Sequence, residues 1–347
     1  MSSPKLQQTI AAIRDVDSEI AARAAARQAV LTKPAGSLGR LEHVAERVCA
    51  ARRTLAPSVA RKAVAVFAAD HGVCAEQVSA YPASVTGQMV GNFVAGGAAI
   101  CALTRSIGAA LVVVDVGVTE PCVGVRSRRV RAGTANFARE PAMSRAQAVA
   151  AIEVGIEVAT SLDVDLLGVG EMGIGNTTAA AAIASVMADL PPAQVTGRGT
   201  GLDDARLAHK ITVIQRALAL HRPDARDPVG VLAAVGGLEI AAIAGACLGA
   251  AATGRIVVLD GFIATAGAVL AAALAPLATG YMVAGHRSVE PGHARLLERL
   301  RLVPVLELDL RLGEGSGAAL AMPIIDGAVA AFRDMATFEA AGVENRA

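Results

Sequence analysis

From residue 62 onward, short apolar runs alternate with stretches long enough to form helices, and this alternation limits the fold more than any other feature of the chain. The runs occupy 63–69 (AVAVFAA), 109–116 (AALVVVDV), 164–170, 255–260, 280–285 and 302–308. Helical stretches are expected at 83–106, 144–161, 177–188, 203–220, 229–250, 263–275 and 290–300, with a last one at 317–332. Strands that read as nearly continuous Val, Leu and Ala are buried on both faces. Interleaved with helices, they predict a parallel sheet flanked by helices, an α/β, Rossmann-like architecture.

The N-terminal segment follows a different pattern. Leu6, Ile10, Ile13, Val16 and Ile20 recur at helical spacing, so a helix is expected over 6–28 with an apolar stripe that needs a cover, either here or on a partner subunit. A polar loop, Lys33 to Arg40, leads into a second helix near 40–54. The chain is therefore expected to divide into a helical annex and dimer contact (1–60), an α/β core (61–332) and a frayed tail (333–347).

Composition narrows the function. The formal net charge is +1 and the chain has two Tyr, six Phe and no Trp, so neither a basic face nor a set of stacking rings for nucleic acid is available. Five scattered cysteines without a CxxC pair suit a reducing cytoplasm, and the charged N-terminus is not a secretory signal. The stretch Gly261 to Gly285 carries no charge and is long enough to span a bilayer, but it is rich in Ala and Gly and is broken by Pro276. Buried core is the expected reading, with no membrane span.

In open α/β sheets, ligands bind beyond the carboxyl ends of the strands. Here those ends read Asp70-His71-Gly72, Asp115-Val116-Gly117, Gly170-Glu171, Asp260-Gly261 and Gly285-His286-Arg287, a polar residue beside glycine each time. Two glutamates stand out. Glu171 opens the run Gly170–Thr178 ahead of an alanine-rich helix, and Glu314 lies in Gly313-Glu314-Gly315-Ser316-Gly317 ahead of another. Glycines let backbone amides approach a ligand and a helix start favours an anion, whereas a carboxylate there repels one. A carboxylate desolvated among Gly, Met and Leu has a raised pKa and suits a general base.

Gly168–Gly173 matches GxGxxG but follows the third expected strand rather than the first, which argues against dinucleotide binding. Asn176, Thr177 and Thr178 are either an ordinary helix cap or anion donors. Thr196–Gly201 is a second flexible loop, followed by a helix carrying Lys210, and is either a phosphate loop or a surface turn. His71, with Cys74 nearby, is better read as a hydrogen-bonded strand-end residue than as a metal ligand. Ser79, Tyr81 and Gln88, with Met89 as a soft wall, either line a pocket for a flat organic molecule or form a turn into a core helix.

Ten blocks, in order along the chain, resemble the nicotinate-nucleotide–dimethylbenzimidazole phosphoribosyltransferases, the CobT family. They include KPAGSLGRLE (33–42), ADHGV (69–73), VSAYP (78–82), VTGQMVGNFVAGGAAI (85–100), GEMGIGNTTAAAAI (170–183), LDGFIATAGA (259–268), GHRSVEPGH (285–293) and LDLRLGEGSGAALAMPII (308–325). Gln77 and Val289 depart from the family pattern, where Gly and Ala are expected. The resemblance implies that Glu314 is the catalytic base and Glu171 a second active-site glutamate. It implies a phosphate and ribose site at Gly173, Ile174, Gly175, Asn176, Thr177, Thr178, Gly201 and Lys210. It also implies a base pocket at Ser79, Tyr81, Pro82, Gln88, Met89 and Leu312. No metal or other cofactor is expected. The implied substrates are nicotinate mononucleotide and 5,6-dimethylbenzimidazole. Transfer inverts ribose C1 to give α-ribazole 5′-phosphate for the lower-ligand assembly of cobalamin. A homodimer is implied as well, with N-terminal residues of one subunit near the other's site.

Overall fold

A computed structural model of the chain describes residues 3–199 and 201–344. Six parallel strands form the main sheet: β1 (Lys62–Ala69), β2 (Ala110–Gly117), β3 (Arg126–Ser127), β4 (Leu166–Met172), β5 (Ile256–Leu259) and β6 (Met282–Ala284), in the spatial order β3-β2-β1-β4-β5-β6. Two further strands, β7 (His286–Arg287) and β8 (Leu306–Glu307), pair as a separate two-stranded sheet. The expected α/β sheet flanked by helices is therefore present. β3 carries only two residues and no apolar run, so periodicity gives no sign of it. The expected strand at 302–308 shrinks to β8 because it follows Pro304 and pairs only with β7.

Three expected helices are broken. The 6–28 segment is two helices, Pro4–Ala12 and Ser18–Val30, the second capped by Asp17, whose Oδ1 accepts from the Ile20 N–H at 2.9 Å. The 83–106 segment divides into Val85–Ala95 and Ala99–Ser106 at Gly96, whose φ of +78° ends the first helix in the left-handed region. The 229–250 segment divides into Pro228–Val235 and Leu238–Ala252 around Gly236-Gly237. The stripe on the first segment is not free. Leu6 and Ile13 are buried in the main core of the same chain, and the Pro4–Ala12 helix packs on Arg145–Ser161 and Leu238–Ala252. The tail is partly held too: Leu31 bridges Thr337, and Phe338–Ala341 forms a short helical turn, while residues 345–347 lie outside the described chain.

Two helices cross at backbone contact. A Cβ on Gly155 would fall 1.7 Å from the Ala242 carbonyl oxygen, and one on Gly245 would fall 1.8 Å from that of Ile152. Only glycine permits this approach between Arg145–Ser161 and Leu238–Ala252. The uncharged 261–285 stretch is the buried Phe262–Leu274 helix, a 3-10 turn and β6, so its apolarity serves the core. At the amino ends of the strands, Asp165 receives Arg61 N–H at 3.1 Å, Ser58 Oγ at 2.9 Å and Arg61 Nη2 at 2.9 Å. This clamp ties the starts of β1 and β4, and the pairing carries through to Phe67 opposite Glu171 at the other end.

Candidate active site

β1 lies between β2 and β4, and the chain leaves it in opposite directions on the two sides. This is the point in a doubly wound sheet where a crevice opens beyond the carboxyl ends. A cavity lies to one side of it, beyond the carboxyl ends of β4, β5 and β6. Glu171 and Met172 from the end of β4 line it, with Gly173, Ile174, Asn176 and Thr177 from the turn and first residues of the Asn176–Ala188 helix. Asp260 and Gly261 after β5, and His286, Ser288 and Glu290 after β6, form the opposite wall; Arg311, Leu312 and Gly313 border it.

Glu171 is 6% exposed, and Asn176 Nδ2 donates to its Oε2. Its pKa is pushed up to about 8, first by burial and then by the charges of Asp260 and Glu239. The Asn176 bond pulls the other way, and Glu314 adds a further upward push. Asp260 is committed to structure. Its Oδ2 accepts the Gly315 N–H at 3.0 Å and its Oδ1 the Gly317 N–H at 2.7 Å, holding the start of the Ser316–Asp334 helix against β5.

Glu314 lies between Gly313 (φ +86°) and Gly315 (φ +84°) and itself adopts φ +63°. A non-glycine residue held there carries strain that surrounding structure must enforce. The enforcement is visible: a Cβ on Gly170 would lie 2.2 Å from Gly315 N and 2.5 Å from the Glu314 carbonyl carbon. The turn bearing one glutamate therefore crosses the strand bearing the other at backbone contact. Glu314 is 5% exposed, and its Oε2 accepts the Ile100 N–H at 3.4 Å. Burial raises its pKa; the Ile100 bond opposes this and Asp260 adds to it. Its side chain is thus desolvated, as the sequence leads one to expect, but Glu171 rather than Glu314 lines the cavity.

Lys210 is fully buried. Its Nζ donates to Thr177 Oγ1 at 2.8 Å and to the Gly197 carbonyl at 3.3 Å. Burial brings its pKa down to about 8, and Glu290 works against that fall. Among the turn amides, those of Ile174, Asn176 and Thr178 are engaged by Thr86 Oγ1 (3.1 Å), Gly173 O (3.1 Å) and Gly175 O (2.9 Å). An anion here therefore meets the helix-start dipole and the Lys210 ammonium more than those three amides.

The structure gathers only part of the expected site. Glu171, Gly173, Ile174, Asn176, Thr177 and Leu312 share the cavity, with Lys210 behind Thr177. Gly175, at φ +91°, faces Cys74 Sγ instead, and Thr178 is buried in its helix. Gly201 is exposed with open space around it, and its neighbour Thr200 lies outside the described residues. Ser79, Tyr81 and Pro82 line a separate surface depression with Glu76, Arg206 and His209, where Tyr81 is 54% exposed. Gln88 and Met89 belong to the Val85–Ala95 helix and line neither hollow.

The GxGxxG match is not a phosphate turn: Gly168, Val169 and Gly170 are β4 residues, and a Cβ on Gly168 would meet Met322 and Val64 at 3.0 Å. Of the five strand ends, those at Glu171, Asp260 and His286 converge. Asp70 and Asp115 turn to local loops, accepting the Thr119 N–H at 2.7 Å and the Val118 N–H at 2.8 Å. His71 is hydrogen-bonded as expected, its Nε2 lying 2.6 Å from Glu239 Oε1 with both side chains fully buried. Sequence reasoning placed Asp260 and His286 at strand ends without making them site residues, and it missed Ser288, Glu290 and Arg311. Their signals are position after a strand and a place in the blocks GHRSVEPGH and LDLRLGEGSGAALAMPII.

Known proteins share this arrangement along almost the whole chain. The family described as "Phosphoribosyltransferase" matches residues 13–343. A protein of Chloroflexus aggregans named nicotinate-nucleotide–dimethylbenzimidazole phosphoribosyltransferase is 54% identical over 347 residues, covering 98% of this chain and 98% of that protein. One of the same name from Geobacter metallireducens is 52% identical over 345 residues, again covering 98% of each. The crystal structure of CobT from Thermus thermophilus superposes with a TM-score of 0.91 at 48% identity, covering 94% of this chain and 100% of that one.

Proposed function

The chain belongs to the nicotinate-nucleotide–dimethylbenzimidazole phosphoribosyltransferase family, and from that premise we propose that its chemistry takes place in the Glu171 cavity at the carboxyl ends of β4, β5 and β6. The enzyme transfers the phosphoribosyl group of nicotinate mononucleotide to 5,6-dimethylbenzimidazole, a step of cobalamin biosynthesis. One observation carries the placement: a buried carboxylate with its pKa raised to about 8 stands at the start of the Asn176–Ala188 helix, with the Lys210 ammonium behind Thr177.

A ring nitrogen of the benzimidazole attacks ribose C1 with its lone pair from the face opposite the pyridinium. The C1–N bond of the nucleotide breaks, its electron pair goes to the departing ring, and nicotinate leaves. Inversion converts the β-nucleotide into α-ribazole 5′-phosphate. The attacking heterocycle becomes cationic, and a carboxylate takes its remaining N–H proton. Glu314, next to the cavity-lining Gly313 although not itself on the cavity wall, is proposed as that base, a role that requires its side chain to reach the cavity when substrates bind. Its support is burial, a raised pKa and a turn fixed against β4. Glu171 is proposed as the second active-site carboxyl group, bounding the ribose side of the cavity; with its pKa raised to about 8 it holds its proton at neutral pH and can donate a hydrogen bond to a sugar oxygen. A positioned base supplies ~10²–10⁴-fold, whereas alignment of two substrates supplies up to roughly 7–11 kcal/mol. Alignment therefore outweighs proton transfer here.

A homodimer is proposed with this reading, but its support has moved. The first helical segment is covered by its own chain, whereas in the apolar stretch Val85–Ser106 only 33% of an 18-residue window is buried and Val94 is 48% exposed. A cytoplasmic location is proposed because all five cysteines are free thiols. The test of function is incubation of the purified chain with nicotinate mononucleotide and 5,6-dimethylbenzimidazole, followed by chromatography. Equal release of nicotinate and α-ribazole 5′-phosphate is expected. Release of nicotinate without the second product defeats the reading.

A further inference from the structure

The wall of the cavity opposite Glu171 is fastened by a histidine that does not line it. His293 is fully buried in the first turn of the Pro291–Leu300 helix. Its Nδ1 lies 2.9 Å from the Ser288 backbone nitrogen and 3.0 Å from Ser288 Oγ; its Nε2 lies 3.0 Å from Thr265 Oγ1. Thr265 Oγ1 in turn donates to the Gly261 carbonyl at 2.8 Å.

The protons in this relay can be assigned. A backbone N–H can only donate, so Nδ1 accepts and carries no proton. The ring is neutral: burial, and then His286 and Arg287, bring its pKa down to about 3. Its one N–H is therefore on Nε2 and points at Thr265, whose hydroxyl proton goes to Gly261. With Nδ1 unprotonated, the Ser288 hydroxyl at 3.0 Å is a donor to it, so the Nδ1 lone pair is shared by the Ser288 amide and hydroxyl and the residue is held from both.

Both ends of the relay, Gly261 and Ser288, line the cavity, and they abut. A Cβ on Gly261 would fall 3.6 Å from Ser288 Cβ and 3.2 Å from His286 Nε2. The turn after β5 and the loop after β6 thus form one wall, and Thr265 and His293 are the side chains that join them through this buried relay.

We propose that His293 is a positioning residue of the transferase site: as a neutral Nε2–H tautomer it locks the turn at Gly261 to the loop at Ser288 and fixes the Ser288 side chain at the cavity wall. This rests on the placement of substrates in the Glu171 cavity. It gives a role to the second histidine of GHRSVEPGH that neither metal binding nor proton transfer requires. His293 touches neither the cavity nor a reacting atom, so it acts only through Ser288 and Gly261.

The experiment compares steady-state kinetics of nicotinate release for the wild type, His293→Asn, His293→Gln, Ser288→Ala and the double variant His293→Gln/Ser288→Ala, with thermal melts of each. The Asn amide oxygen reaches the position of Nδ1 and can accept the Ser288 amide; the Gln amide reaches the position of Nε2 and cannot. Each variant keeps one end of the relay and loses the other, so His293→Asn and His293→Gln should both raise KM or lower kcat/KM by about tenfold or more, since small misplacements of a site wall have effects of this size. Ser288→Ala in the His293→Gln background should add little, because the two act as a unit. Unchanged kinetics in either folded variant, or additive losses in the double variant, overturn the inference. Where His293→Gln is not folded by its melt, Thr265→Val, which removes the acceptor at the far end, carries the test. Unchanged kinetics in Thr265→Val then overturn it. Absence of transfer by the wild type instead defeats the functional reading itself, so the two failures are separable.

Discussion

Gly313 makes room for Glu171: a Cβ on Gly313 would lie 2.4 Å from Glu171 Oε1, closer than any real contact allows. The loop bearing the proposed base therefore sets the position of the second carboxylate, and the two glutamates are a geometric unit rather than independent groups.

Gly313→Ala should lower kcat/KM by at least about tenfold, because the added methyl displaces the Glu171 carboxylate and the left-handed φ of +86° disfavours alanine. The backbone effect alone should reduce stability by about 1 kcal/mol. Denaturant unfolding beside kinetics checks both, and a variant with normal activity removes the link between the two loops.

Glu314 separates stability from activity. Glu314→Gln should lower turnover at least tenfold, the lower end of the ~10²–10⁴ range for a positioned base being softened by rescue from water. Glu314→Gly should be equally slow yet more stable by about 0.5–1 kcal/mol, since glycine accepts φ +63° without strain. Full activity in either variant ends the assignment of Glu314 as base.

Glu171 predicts a pH dependence of folding. Its pKa is near 4.5 unfolded and about 8 folded, so the folded state holds the proton more tightly. Its contribution to stability is fully present below pH ~4.5 and is lost as pH rises through about 8. Melting temperature should fall across this window, and Glu171→Gln should flatten the fall. A Glu171→Gln protein whose melting curve tracks wild type from pH ~5 to ~8.5 contradicts the buried, raised carboxyl.

Lys210 is the buried cation behind the helix start. Lys210→Met should raise KM for nicotinate mononucleotide by tenfold or more, about 1.4 kcal/mol of lost binding. It should leave KM for the benzimidazole within about twofold, because Lys210 is joined to Thr177 at the helix start and the uncharged acceptor offers its ammonium no anion to hold. Equal changes in both constants would place the phosphate elsewhere.

How much of this was legible follows from the kind of signal each element carries. β1, β2 and β4 are long apolar runs, and their composition announces them. β3 and β8, two residues each, are fixed by neighbours and leave no period to read. The helix breaks at Gly96 and Gly236-Gly237 depend on backbone conformation, and a lone glycine in an apolar run does not declare whether it ends a helix or, like Gly155, lets two helices touch. Glu171 and Glu314 were legible because a carboxylate among glycines at a helix start is chemically odd. Ser288, Glu290 and Arg311 were not, since only the folding of the loop after β6 and of the segment after β8 brings them to the cavity.

The arrangement at Asp260 also bears on how the protein is made. Its two oxygens await the amides of Gly315 and Gly317, which leave the ribosome more than fifty residues later. Until they do, the trough along Gly168 and Gly170 is uncovered and the carboxylate at its mouth has no helix start to hold. A nascent or prematurely terminated chain ending before residue 313 therefore presents a nearly complete sheet with an open apolar seam, the kind of surface that chaperones retain and proteases enter. The segment from Gly313 onward acts as the closing latch of the molecule, and loss of even a short C-terminal piece reaching into it should register as a folding defect before it registers as a catalytic one.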